Sequence, residues 1–187
     1  MLQSFFLWFY CLSMSKAVLL LLLVTGAYLM VRWQFGKMRL WRAGIALVLL
    51  AWLVVIAVIT LADRTPGAIP AAPELIPLHS YRAVMAGENS ELLRSNFMNV
   101  VLFYPVGLLG CDMLPGRWSR KRRFFLIAVL CVLLSLGIEC SQYLFVLGQA
   151  EADDVIHNGL GAFLGGAVCE ILPRKMSSHK TERSNAP

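Results

Sequence analysis

Between Arg42 and Asp63 the chain runs for 20 residues, Ala43 to Ala62, without a charge. An α-helix rises about 1.5 Å per residue, so a run of about 20 apolar residues spans the hydrocarbon core of a bilayer. Similar runs recur along the sequence. Hydrophobic residues make up 58% of the 187, charged residues only 15%, and mean hydropathy is +0.68. Soluble domains carry about 25% charged residues, so composition points to an integral membrane protein with room for one domain.

Besides 43–62, spans are predicted at 12–31, 96–114, 124–146 and 154–172. Loop charge then sets their direction. Arg32, Lys37, Arg39 and Arg42 separate the first two spans without an acid. Arg117, Arg120, Lys121, Arg122 and Arg123 separate the third and fourth, and Arg174, Lys175, Lys180 and Arg183 follow the fifth. The alternate loops hold Asp63, Glu74, Glu88 and Glu91 against Arg64, Arg82 and Arg94, then only acids over 148–153. All three basic loops share one side if there are five spans with the amino terminus outside, and the basic side is cytoplasmic. The expected architecture is an all-α polytopic transmembrane helix bundle of about five spans, amino terminus outside and carboxyl terminus cytoplasmic. Three parts are expected: an added first span with its basic loop (1–42), a membrane domain (43–172) and a disordered cytoplasmic tail (173–187).

The net charge of +6 sits in those loops, with no basic groove or aromatic platform, so nucleic acid is not an expected partner. Cys11, Cys111, Cys131, Cys140 and Cys169 are odd in number, lie in or beside apolar runs and form no C-x-x-C. That argues against a disulfide framework or a zinc site. Phe5, Phe6, Trp8, Phe9 and Tyr10 read as an interfacial aromatic belt, with Lys16 snorkelling outward. No basic stretch precedes the apolar run, as a cleaved signal peptide would require. Pro66, Gly67, Pro70, Pro73 and Pro77 exclude a regular helix in the long loop, whose Leu75-Ile76-Pro77-Leu78 is expected to dock on the bundle mouth; 81–94 could form a short surface helix.

Several polar residues interrupt the apolar segments. A carboxylate at the bilayer centre costs on the order of 2.5–3.5 kcal/mol by insertion scales, so Glu139 must face protein, a watery cavity or a substrate. It lies about 12 Å below the outer end of its span, and Gln142 is one turn nearer that end on the same face. Asp154 stands at the mouth of the fifth span with Asn158 one turn down; Asn96 and Asn99 do the same in the third, and Arg64 ends the second. All fall in the outer half of the membrane, and none in the inner half. Plainer roles compete with function. Asn96 and Asn99 could be interhelical hydrogen-bond glue, His157 a satisfied polar residue, and Asp153 a solvated loop acid or helix cap. Glu139 is hardest to explain that way, because a buried unpaired carboxyl is costly. Gly159, Gly161, Gly165 and Gly166 give the fifth span a surface for close helix packing, and Pro105 should kink the third.

Four blocks resemble the VanZ-like family of small bacterial membrane proteins over about residues 60–172. They are Glu74-Leu-Ile-Pro77-Leu-His-Ser-Tyr81; Asn96-Phe-Met-Asn99 running on to Pro105-Val-Gly107; Ser135-Leu-Gly-Ile-Glu139-Cys-Ser-Gln142; and Asp153-Asp154-Val-Ile-His157-Asn158-Gly159-Leu-Gly161 running on to Gly165. Two positions depart from the family. Gln149 follows Gly148 where an arginine is usual, leaving Arg64 or Arg82 to supply any guanidinium, and Glu74 replaces an asparagine. The resemblance implies a multi-pass protein of the bacterial cytoplasmic membrane. It also implies an association with resistance to teicoplanin, a glycopeptide acting on lipid-linked cell-wall precursors, and kinship with enzymes of lipid head groups.

Two functions of different kinds follow. In the first, an enzyme acts on a membrane lipid or lipid-linked cell-envelope precursor from the outer leaflet, by head-group hydrolysis or transfer. Glu139 or Asp154 would be acid or base, with His157 beside them. Asn99, Gln142, Asn158 and Asn96 would orient the head group, and Arg64 or Arg82 would hold phosphate. Asp154 and His157 could contact a metal, but they offer two ligands and no clear third, so no metal site is assigned. In the second, the same cluster is the recognition site of a noncatalytic lipid- or antibiotic-binding protein. A channel or transporter would favour polar groups in the inner half or an internal repeat.

Overall fold

The computed structural model describes residues 14–36, 40–62, 64, 66–67, 71–87 and 91–171. The aromatic amino-terminal segment and the carboxyl-terminal tail lie outside the described residues. Six helices account for nearly all of the remainder: α1 (Met14–Phe35), α2 (Trp41–Ala57), α3 (His79–Met85), α4 (Glu91–Met113), α5 (Arg120–Leu144) and α6 (Ala152–Ile171). A π-helical turn, Val58–Ala62, continues α2. The fold is an all-α bundle.

Among the described residues four helices are long and apolar enough to cross a membrane: α1, α2 with its π turn, α4 and α5. The fifth expected span, α6, has 20 residues but carries Asp153, Asp154, His157, Asn158 and Glu170. Its faces explain the difference. Asp153, His157, Asn158, Gly161, Gly165 and Gly166 are buried, while Ile156, Leu160, Phe163, Leu164 and Ile171 are exposed. That is the inverse of a soluble amphipathic helix and suits a helix with hydrocarbon outside and polar groups inside.

Close approach of backbones builds the centre. A Cβ on Gly107 would overlap the carbonyl of Ala162; one on Gly161 would overlap that of Val100, and one on Gly165 that of Tyr104. Only glycine lets α4 and α6 come this near, the small-residue packing that substitutes for a hydrophobic drive inside lipid. α4 is consequently the most enclosed span, burying Phe103, Leu108 and Cys111. α1 buries only Ala17 and stands at the periphery.

The loop before α3 docks as expected, although its apolar side chains do not drive the docking. Leu75, Ile76 and Leu78 remain 70%, 51% and 47% exposed. Backbone hydrogen bonds hold it instead: Glu74 N–H to Ala150 O (2.9 Å), Ala152 N–H to Glu74 O (2.9 Å) and Gly67 N–H to Val146 O (2.7 Å).

Polar groups are not confined to one half of the bundle. Where α1, α4 and α6 end and α2 and α5 begin, a second buried cluster overturns that expectation. Arg123 sits 4% exposed with Nε 2.7 Å from Glu170 Oε1 and Nη2 2.5 Å from Oε2. Arg32 pairs with Asp112 at 3.4 Å, and Trp41 Nε1 donates to the same carboxylate at 3.1 Å. The buried thiol of Cys111 donates to Glu170 (3.4 Å) and lies in hydrogen-bond contact with Cys169. Both arginines also sit at loop boundaries, where they contribute to the basic-side charge pattern.

Candidate functional site

At the other end of the bundle α2, α4, α5 and α6 surround a cavity of about 240 Å³. Arg64, Asn99, Glu139, Gln142, Asp154 and Asn158 all line it, together with Thr60, Glu91, Arg94 and Ser95. Ile59, Met98, Leu102 and Ile138 supply its apolar wall. Helical spacing explains the convergence. Glu139 and Gln142 are i,i+3 on α5 and Asp154 and Asn158 are i,i+4 on α6, so each pair shares a face.

Each polar side chain is held at one end. Glu139, 5% exposed, accepts from the Glu151 backbone N–H at 2.9 Å through Oε2. Asp154 Oδ1 accepts from Asn99 Nδ2 at 2.7 Å. Gln142 Nε2 donates to the Thr60 carbonyl at 3.0 Å, and Asn158 Nδ2 to the Ser135 hydroxyl at 2.8 Å. Gln142 Oε1 and Asn158 Oδ1 are buried without a protein partner. Arg64 stands within electrostatic reach of Glu139, Glu151 and Asp154. It packs so close to Gly148 that a Cβ there would meet its Nη1. At the rim, burial beside Asp154 and Asp153 raises the Glu151 carboxyl above its ordinary value, against the pull of His79 and Arg64.

The backbone around the site is unusual in two places. The π turn at the end of α2 carries Thr60, whose carbonyl receives Gln142; such turns often mark functional sites. Val146, with φ 57°, closes α5 in the left-handed conformation, and Leu147 N–H returns to Gln142 O at 2.8 Å. A β-branched residue in that role replaces the usual glycine and is strained.

Four of the residues considered from sequence lie outside the cavity lining. His157 donates Nδ1–H to the Asp153 carbonyl at 2.5 Å, which leaves Nε2 to accept from the Tyr81 hydroxyl at 2.8 Å. Both ring nitrogens are engaged, and the ring stacks on Tyr81 at 5.7 Å between centroids. Asn96 points behind the cavity and donates to Ser80 Oγ at 2.6 Å. Arg82 is an exposed residue of α3. Asp153, expected to be a solvated acid or a cap, is 3% exposed and so is no solvated acid. It accepts from Leu78 N–H, Ser80 N–H (2.9 Å) and Ser80 Oγ, anchoring the start of α3 onto α6 and holding Leu78 at φ 60°.

Thr60, Glu91, Arg94 and Ser95 were not foreseen. For α4 the signal was present, because 91, 94, 95, 98, 99 and 102 form one helical stripe ending on the apolar floor. Arg94 Nη1 pairs with Glu91 Oε2 at 3.0 Å on that stripe. Among the described residues no group of three or more His, Cys, Asp or Glu could hold a metal ion.

Comparison with known proteins agrees with the resemblance in the four blocks. A family model described as VanZ/LLP1 matches residues 43–173. The chain belongs to that family. Protein VanZ of Enterococcus faecium is 33% identical over 86 residues, covering 46% of this chain and 50% of that protein. The chain therefore spans about half the length of this relative. No solved structure matches. Family membership and four membrane-length apolar helices make this a multi-pass bacterial membrane protein.

Proposed function

We propose that the protein acts on the head group of a membrane lipid or lipid-linked cell-envelope precursor, by hydrolysis or transfer, at the outer leaflet. The observation that carries this reading is the pair of carboxyls, Glu139 and Asp154, lining one small polar cavity between membrane helices. Each has one oxygen fixed by a protein N–H, while Glu139 Oε1 and Asp154 Oδ2 have no protein donor among the described residues. Two such groups in different surroundings can divide acid and base roles. One takes the proton of an attacking water or hydroxyl, and the other returns a proton to the leaving oxygen. Arg64 offers a guanidinium for a phosphate arriving at the rim.

Size argues that this cavity does not take a whole antibiotic. Pockets for drug-sized ligands measure roughly 300–1,000 Å³, and this cavity is smaller, suited to a head group whose chains stay in the bilayer. Resistance to teicoplanin would then follow from altered lipid or precursor chemistry. The test is turnover of head-group-labelled lipids and lipid-linked precursors by protein reconstituted in vesicles. Release or transfer of the label by the wild type, falling about 100-fold or more in Asp154→Asn, is the expected result. Lipid retention with no turnover of any class would favour the noncatalytic binder instead.

A further inference from the structure

We infer that the head group taken by this cavity presents hydrogen-bond donors, hydroxyl or ammonium, beyond its phosphate; the inference rests on the lipid-head reading above and narrows it to a substrate class. The orientation of Gln142 decides the matter. Its amide nitrogen must be the end that meets Thr60, because a carbonyl can only accept. Oε1 is thereby aimed away as an acceptor, on a side chain 2% exposed, and no protein donor reaches it. Asn158 Oδ1, on a side chain 4% exposed, also lacks a partner, but its other end meets the Ser135 hydroxyl, which donates or accepts, so Gln142 alone is fixed by its partner. Asn99 repeats the arrangement, with its nitrogen committed to Asp154.

The wall around them is therefore rich in acceptors: these amide oxygens, Glu139 and Asp154. The guanidinium donors belong to Arg64, and to Arg94, which is paired with Glu91. Both amide oxygens are closed to water, so a ligand gains by bringing donors that pair them as the wall yields, and one without donors leaves them unpaired. A bare phosphate brings mainly acceptors and negative charge toward two carboxyls. A trimethylammonium group brings charge without an N–H. A primary ammonium or a polyol brings donors. Sites built around buried polar groups discriminate strongly against ligands that leave those groups unpaired.

The test uses the full chain in nanodiscs of phosphatidylcholine doped in turn with phosphatidylethanolamine, phosphatidylglycerol or phosphatidic acid, reading lipid retained on the protein by native mass spectrometry. Retention of phosphatidylethanolamine or phosphatidylglycerol about 10-fold above phosphatidylcholine and phosphatidic acid is expected, and whichever is retained separates ammonium from hydroxyl recognition. Gln142→Met, which removes the acceptor, should abolish that preference. Equal retention of all four lipids by the wild type overturns the inference without recourse to any variant. Turnover measured in parallel keeps the two claims apart. Selective retention without turnover supports donor recognition and counts against the enzyme reading, whereas turnover without selectivity sinks donor recognition alone.

Discussion

The two ends of the bundle both bury charge, and they bury it differently. At the end holding Arg123 and Glu170 the carboxylate receives two guanidinium bonds, and Asp112 receives Arg32 and Trp41. Arg123 also caps the carbonyls of Gly116 (3.3 Å) and Trp118 (2.5 Å). At the end holding Glu139 the cavity-lining Glu139, Gln142, Asp154 and Asn158 are each tied once and open on a cavity. Buried charge paired with opposite charge is architecture, tying the termini of distant helices together, although Arg32 Nη2 makes its ion pair without a hydrogen bond. Under the proposed function, the unpaired amide oxygens of the cavity-lining Gln142 and Asn158 are the atoms a ligand would pair.

The largest expected stability effect lies at the matched end. Arg123→Met removes the guanidinium partner of the buried Glu170 carboxylate, a loss of about 3–5 kcal/mol. Membrane abundance and thermal stability in detergent should collapse, and adding Glu170→Leu should recover much of both. An Arg123→Met protein as stable as the wild type would break the comparison.

A smaller loss is expected from Asp153→Asn, near the open end but with a carboxylate fully used by Leu78 and Ser80. It should cost about 1–3 kcal/mol, read as a lower melting temperature and faster hydrogen exchange in 79–85. Val146→Gly should act in the opposite direction. Relief of a left-handed β-branched residue gains about 1–3 kcal/mol and glycine's extra unfolded freedom returns about 0.5–1, so a modest rise in melting temperature is expected. Arg82→Ala should change stability by less than about 0.5 kcal/mol and leave activity intact. Lost activity there would bring Arg82 back to the site and redraw its boundary.

Much of this contrast was legible in the sequence, and the missing part has a physical reason. Spans announce themselves by apolar length, and the Glu139/Gln142 and Asp154/Asn158 pairs by helical spacing, so the heart of the cavity could be read locally. The start of α4 at Glu91 rather than near Asn96 could not, since its first turn is polar and resembles loop. Asn96 and Asn99 look equivalent at i,i+3. The angular offset between them is enough to turn Asn96 onto Ser80 while Asn99 meets Asp154. The matched cluster was hidden for another reason. Arg32 and Arg123 read as loop charges that fix orientation, and their partners Asp112 and Glu170 are 80 and 47 residues away, beyond any local period.

The most direct measurement replaces Glu139 with glutamine and reads membrane abundance and activity in the same cells, with turnover of labelled lipid or resistance to teicoplanin as the activity. The amide keeps the shape and can still accept from Glu151 N–H, but it cannot exchange a proton at neutral pH. Normal abundance with activity reduced about 100-fold or more is the predicted result. Full activity would contradict the account by removing its central residue, and loss of the protein from the membrane would place Glu139 with Arg123 among the groups that hold the bundle together.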